Sequence, residues 1–160
     1  MTRPVAELPK IAACKRRIAN QECWEAAGAY EVMQHLVVEH GQYDGCRNAL
    51  DIARRYRNLD HVIASIAADG RLMTRKELNS LNFREAGGVV VHVGRSAQLI
   101  FGGGGCHRLA IAQALGLRLM PAQLGVVHRE AVKEGLFTAL LFDSVAAQTT
   151  SSSQLVGIGS

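Results

Sequence analysis

The sequence predicts a mixed α/β (α+β) protein, helical in its first half and built in its second half as a β-hairpin, a glycine loop, a helix and a strand. Three observations carry this expectation. Apolar residues recur at helical spacing as far as Gly70, and the period changes to a β-branched run at Val89 to Val93. The segment Phe101-Gly-Gly-Gly-Gly-Cys106-His107-Arg108 then joins a strand to a helix through four glycines.

Each element has its own signal. From about Cys23 to Glu39, the residues Ala26, Ala29, Tyr30, Met33, Leu36 and Val37 form the buried stripe of an amphipathic helix that His40-Gly41 closes. Gly45 marks a turn, and Ala49, Ile52, Ala53 and Tyr56 repeat the spacing in a second helix, with Arg54, Arg55 and Arg57 pointing elsewhere. Asp60 is read as the cap of a third helix carrying Val62, Ile63, Ile66 and Ala67, and Thr74-Arg-Lys-Glu77 has the capping-box pattern of a short fourth. Val89 to Val93 and Gln98 to Phe101 read as a hairpin around Gly94-Arg95-Ser96-Ala97. The helix after the glycines runs through Leu115 and stops at Gly116, and Met120 to Val127 supplies a further strand, with Pro121 early in it. A last helix starts at His128-Arg129-Glu130 and reaches about Phe142, ahead of a polar tail.

With 160 residues and 48% hydrophobic content, the chain suits one compact core. No apolar run approaches the ~20 residues of a membrane span, and Met1-Thr-Arg-Pro4 lacks the apolar core of a secretion signal. A cytoplasmic protein without membrane partners is the expectation. Cys14, Cys23, Cys46 and Cys106 show no C-x-x-C pair, which predicts free thiols rather than a zinc knuckle or a disulfide scaffold. The net charge of +4 leaves nucleic-acid contact open, but the basic residues are spread, and the clusters Lys15-Arg16-Arg17 and Arg71 to Lys76 read as solvated helix faces.

The glycine loop carries the chemistry. Glycines let a ligand approach the backbone, and the first turn of the following helix presents unpaired N–H groups and partial positive charge. Phosphate is the natural ligand of such a turn, formed by Gly102, Gly103, Gly104 and Gly105, with His107 and Arg108 as side-chain donors. Cys106 falls where a helix N-terminus stabilises a thiolate. The spacing fits neither a P-loop, since no Lys-Ser/Thr follows, nor a dinucleotide fingerprint, since no early βαβ unit is present. Generic phosphate binding is what the residues alone support.

The run Phe101-Gly-Gly-Gly-Gly-Cys106-His107-Arg108-Leu-Ala-Ile-Ala-Gln-Ala-Leu-Gly116-Leu, followed by Met120-Pro-Ala-Gln-Leu124, resembles the ParB/sulfiredoxin superfamily. The shared pattern is a strand, a glycine turn ending in His-Arg, a helix of Arg-Leu-Ala-Ala-Ala type, a Leu-Gly ending and a strand opening on a proline. The box is similar to the sulfiredoxin Phe-Gly-Gly-Cys-His-Arg, with two more glycines here, and the likeness extends upstream through Asn82 to Gly94. It implies a small mixed sheet of ParB/sulfiredoxin type at residues 71–142, while the chain's own periodicity and composition give a helical extension at 1–70 and a flexible tail at 143–160.

What the resemblance further implies is binding of ATP or CTP with Mg2+ at Gly102 to Arg108. Cys106 would take the place of the sulfiredoxin catalytic cysteine, although the enlarged loop and the missing lysine before the box depart from that group. Phosphoryl transfer needs a base or a metal carboxylate; Glu85 is the first candidate, ahead of Glu130 and Asp143, and His92 and His128 stand near strand ends. The alternatives are a nucleotide-gated module that contacts DNA or protein without turnover, and cysteine sulfinic acid reduction at Cys106. DNA is not the favoured partner, because the stretch after His128 is too short for a helix-turn-helix region.

Overall fold

A computed structural model describes residues 5–82 and 86–140, so Glu85, Asp143 and the polar tail lie outside the described residues. It is an α+β structure of helices with a three-stranded sheet. The backbone falls into two compact units. One holds the residues up to Val89 together with Gly103–Ala122, and the other holds Val90–Gly102 with the residues from Gln123 onward. The helix after the glycine loop therefore belongs with the N-terminal helices, whereas the sequence groups it with the strands.

In the first unit, a 3-10 turn at Val5–Glu7 leads into α1, Pro9–Ala19, whose proline takes the first helical position, where a missing N–H costs nothing. Helix α2, Ala29–His40, starts later than its apolar spacing predicts. The preceding residues form tight turns, with Ala27 N donating to Cys23 O and Gly28 N to Glu25 O, and these place Trp24 on the core. The Trp24 ring lies 4.7 Å from that of Tyr56, and its Nε1 donates to Asp60 Oδ1 at 3.0 Å.

Asp60 is thus not a cap. Helix α3 is one continuous segment of 21 residues, Ala49–Asp69, capped at its start by Asn48, whose side chain accepts from Asp51 N. The buried stripe Ile52, Tyr56 and Ile66 continues through Asp60, and its carboxylate is used sideways, by Trp24 and by Arg17 at 3.0 Å. Arg17, expected to face solvent, is accordingly engaged. The short α4, Arg75–Leu78, carries the expected capping box, with Thr74 Oγ1 accepting from Glu77 N and Thr74 N donating to Glu77 Oε2. Those hydrogen bonds, with Arg71, hold the Glu77 carboxyl down at about 2.

Helix α5, Cys106–Ala114, packs against α1. It ends as the sequence predicts: Gly116 is left-handed, its N–H donates to Gln113 O, and Leu117 N donates back to Ala112 O. Ile11, Met33, Ile52, Tyr56 and Ile111 are fully buried and form the centre of this unit's core.

The second unit is built on the sheet, in the order β2-β1-β3. Strands β1, Val89–Val93, and β2, Leu99–Phe101, form the expected antiparallel hairpin, with Val91 opposite Phe101 and Val93 opposite Leu99. Strand β3, Ala122–Val127, lies on the other side of β1. His92 locks the sheet: its Nδ1 accepts from Val126 N at 2.8 Å, and its ring fills the space that side chains at Gly102 and Gly125 would need. Helix α6, Arg129–Lys133, is shorter than predicted, because left-handed Gly135 breaks the backbone before residues 136–140 turn helical again.

Candidate functional site

A cavity of about 740 Å³ opens in the first unit beside the glycine loop. Gly103, Gly104, Gly105, Cys106, His107 and Arg108 all line it. The loop's shape is imposed by the backbone. Gly105 is the N-cap of α5 at φ +71°, and a Cβ there would stand 2.7 Å from the carbonyl oxygen of Gly88. Only glycine allows this conformation together with this approach. No side chain caps α5, and the first-turn N–H groups of a helix have no intrahelical partner.

Gly102 does not share this role. It sits in the second unit, and its N–H is spent on Val90 O at 2.8 Å, extending the hairpin pairing. Gly102, expected within the phosphate-binding stretch, does not line the cavity.

The side chains of the Cys-His-Arg run diverge. His107 is 9% exposed, meets the Tyr56 ring edge-on at 5.8 Å, and has no hydrogen-bond partner at Nε2. Burial, reinforced by the charges of Arg55 and Lys10, drives its pKa down to about 4, so the ring is neutral near pH 7. Arg108 donates from its guanidinium to the Met73 carbonyl, which ties α5 to the segment before α4. Cys106 Sγ donates to Gly103 O at 3.4 Å, and burial pushes its thiol up despite the lowering influence of Lys10. The expected thiolate is therefore not favoured, because desolvation by burial is the largest influence on the thiol.

Sequence reasoning missed the opposite wall of the cavity. One face of α3 supplies Asp51, Arg54, Arg55 and Asn58, so Arg54 and Arg55, off the apolar stripe as expected, line the cavity. Helix α1 supplies Lys10 and the segment before α3 supplies Asp44. Lys10 Nζ binds Asp44 Oδ2 at 2.5 Å and lies 4.1 Å above the Tyr43 ring, and Arg55 reaches the same Oδ2 at 3.1 Å. Arg75, read from sequence as solvated, also lines the cavity and donates to Ala86 O. The missed signal is the Asp44-Gly45 pair. Both residues have positive φ, and the flanking Tyr43 and Cys46 exchange backbone hydrogen bonds, which makes a tight primed turn of the kind this dipeptide favours.

The remaining candidates lie elsewhere or do other work. Glu130 pairs with Arg129 and Lys133 on α6, and His128 caps that helix by accepting from Glu130 N. His92 is occupied in the sheet. Among the described residues no group of three or more His, Cys, Asp or Glu side chains is arranged to hold a metal ion. No helix of the described residues is long and apolar enough to cross a membrane.

The chain matches no family model, no curated protein and no solved structure. What stands is an α+β protein whose glycine loop opens one wall of a cationic cavity.

Two outcomes test this geometry. A buried histidine whose folded pKa lies below its unfolded value stabilises fully above the unfolded value, and that stability is lost as pH falls toward the folded one. Between pH 6.5 and about 4 the unfolded chain takes up a proton that folded His107 refuses. Unfolding free energy should drop by roughly 3 kcal/mol across that window. Chemical denaturation of the wild type and His107→Gln checks this: the slope should flatten in the variant above the carboxylate range, and an unchanged slope contradicts the assignment. For the thiols, mass-resolved alkylation of the native protein near neutral pH should label exposed Cys23 first. Cys106 should follow more slowly, as a raised thiol pKa requires. Faster labelling at Cys106 than at Cys23 would restore the thiolate.

Proposed function

We propose that the cavity binds the phosphates of a nucleotide, ATP or CTP with Mg2+, at Gly103–Arg108. The observation that carries this reading is one convergence. An uncapped helix N-terminus behind a glycine loop meets Lys10, Arg54, Arg55, Arg75 and Arg108 around a space of about 740 Å³. Against these cations stand two carboxylates, Asp44 and Asp51, so the lining carries an excess of positive charge that suits a polyanion. The volume lies within the range of small-molecule cavities, roughly 300–1,000 Å³, which favours a phosphate ester over free phosphate. The resemblance of Phe101 to Leu117 to ParB/sulfiredoxin boxes, and the ParB/sulfiredoxin-like arrangement it implies, support the same choice of ligand.

The residues divide the work. First-turn N–H groups of α5 and the loop amides receive phosphate oxygens, Arg108 adds charge at the loop's far side, and neutral His107 can present an N–H at Nε2. Magnesium suits a site with one or two carboxylates because it keeps waters and phosphate oxygens as its other ligands. Asp51 fits that description. Its Oδ2 accepts from Arg47 N and it stands 3.9 Å from Arg54, whereas Asp44 is committed to Lys10 and Arg55. Phosphoryl transfer would rest on positioning and charge at this cluster. Sulfinic acid reduction ranks below it, because the Cys106 thiol is pushed up rather than down.

Titration of ATP and CTP with magnesium, followed by the amide resonances of the wild-type protein, tests the reading. Gly103 to Arg108 should move on binding, and Arg108→Ala should weaken affinity at least about tenfold while the protein remains folded. Shifts confined to other regions, or no shifts with either nucleotide, would overturn it.

A further inference from the structure

The Asp44 carboxylate sits where an anionic ligand would sit. Two cations from separate helices, Lys10 of α1 and Arg55 of α3, converge on its single oxygen Oδ2. Arg55 also donates to the Asp44 carbonyl at 2.9 Å, so the turn is gripped at both ends of the residue. The Lys10 side chain is only 11% exposed, and the Tyr43 ring beneath Nζ helps hold it in place. His107 lies close enough for Lys10, Arg55 and Asp44 all to act on it, and its Nε2 is nine-tenths buried and unsatisfied. A buried polar atom without a partner costs free energy that a ligand oxygen would recover.

We infer that Asp44 is a built-in occupant of the anion site, and that Lys10 and Arg55 are the side chains that receive the ligand's phosphate once Asp44 gives way. This inference rests on the phosphate reading of the same cavity. A phosphate monoester or polyphosphate carries more charge than one carboxylate and offers three terminal oxygens in place of two, so it outcompetes Asp44 for two cations. The turn that carries Asp44 is held by the Tyr43–Cys46 backbone pair, not by the carboxylate, so Asp44 can swing away without unfolding its support. The exchange makes the site self-limiting. Weak monoanions meet an occupied site, and only ligands with enough charge displace the occupant.

Asp44→Asn is the decisive variant, since Asn-Gly forms the same primed turn as Asp-Gly and preserves the loop. Calorimetric titration of the wild type, Asp44→Asn and Lys10→Met with ATP, CTP and inorganic pyrophosphate is the test. Removing the competing charge should tighten binding about tenfold in Asp44→Asn, and Lys10→Met should weaken it by a similar factor. Nucleotide binding by the wild type that is equal or weaker in Asp44→Asn overturns the inference, by making Asp44 inert or a metal carboxylate, while the nucleotide reading stands. Pyrophosphate binding enhanced in Asp44→Asn with no nucleotide binding by any variant supports the inference and overturns the nucleotide reading. Failure of Asp44→Asn to bind any of the three overturns both.

Discussion

The contact between Gly105 and the backbone at Gly88 and Val89 is the constraint on which the first unit's site depends. A Cβ at Gly105 would fall 2.8 Å from Val89 N as well as 2.7 Å from Gly88 O, so the loop passes against the chain where β1 begins. That approach fixes where α5 starts and therefore where its first turn stands. Leu109, Ala110, Ile111 and Ala112 of α5 are buried, and the helix packs against α1. The same packing that buries Ile11 brings its neighbour Lys10 to the cavity. The α1–α5 pair thus contributes to both the core and the site.

Burial is the largest influence on both titratable side chains at the start of α5. Two titratable groups at the start of α5 move in the direction desolvation dictates, Cys106 toward the neutral thiol and His107 toward the neutral imidazole. Asp44 moves the other way. Burial works against its carboxylate, but the hydrogen bond and charge of Lys10, with Arg55, hold its pKa below the usual value. The cavity therefore keeps its permanent cations while the Cys106 thiol and His107 imidazole stay neutral, a pattern that suits holding a polyanion better than generating a nucleophile.

Much of the architecture was legible in the sequence. Capping chemistry located α4 and the end of α5, because Thr74, Glu77 and Gly116 act on their own neighbours in the chain. The hairpin was equally local, set by β-branched residues and a tight turn. Asp60 was misread because the feature that overrides its capping preference, the Trp24 indole, lies 36 positions away in the chain. The glycine loop was visible and its partner wall was not. Lys10, Asp44 and Arg55 come from three separate segments, and nothing in their spacing announces that they meet. The Asp44-Gly45 dipeptide was the one local clue, and it speaks of a turn rather than of a site.

The most direct test of the account is a crystal structure of the protein grown with ATP or CTP and magnesium at saturating concentration. The account predicts phosphate oxygens within hydrogen-bond reach of the first-turn amides of α5, with Lys10 and Arg55 turned to the phosphates and Asp44 displaced from them. Nucleotide bound elsewhere, with Asp44 still on Lys10 and Arg55 and the start of α5 without phosphate, would contradict it.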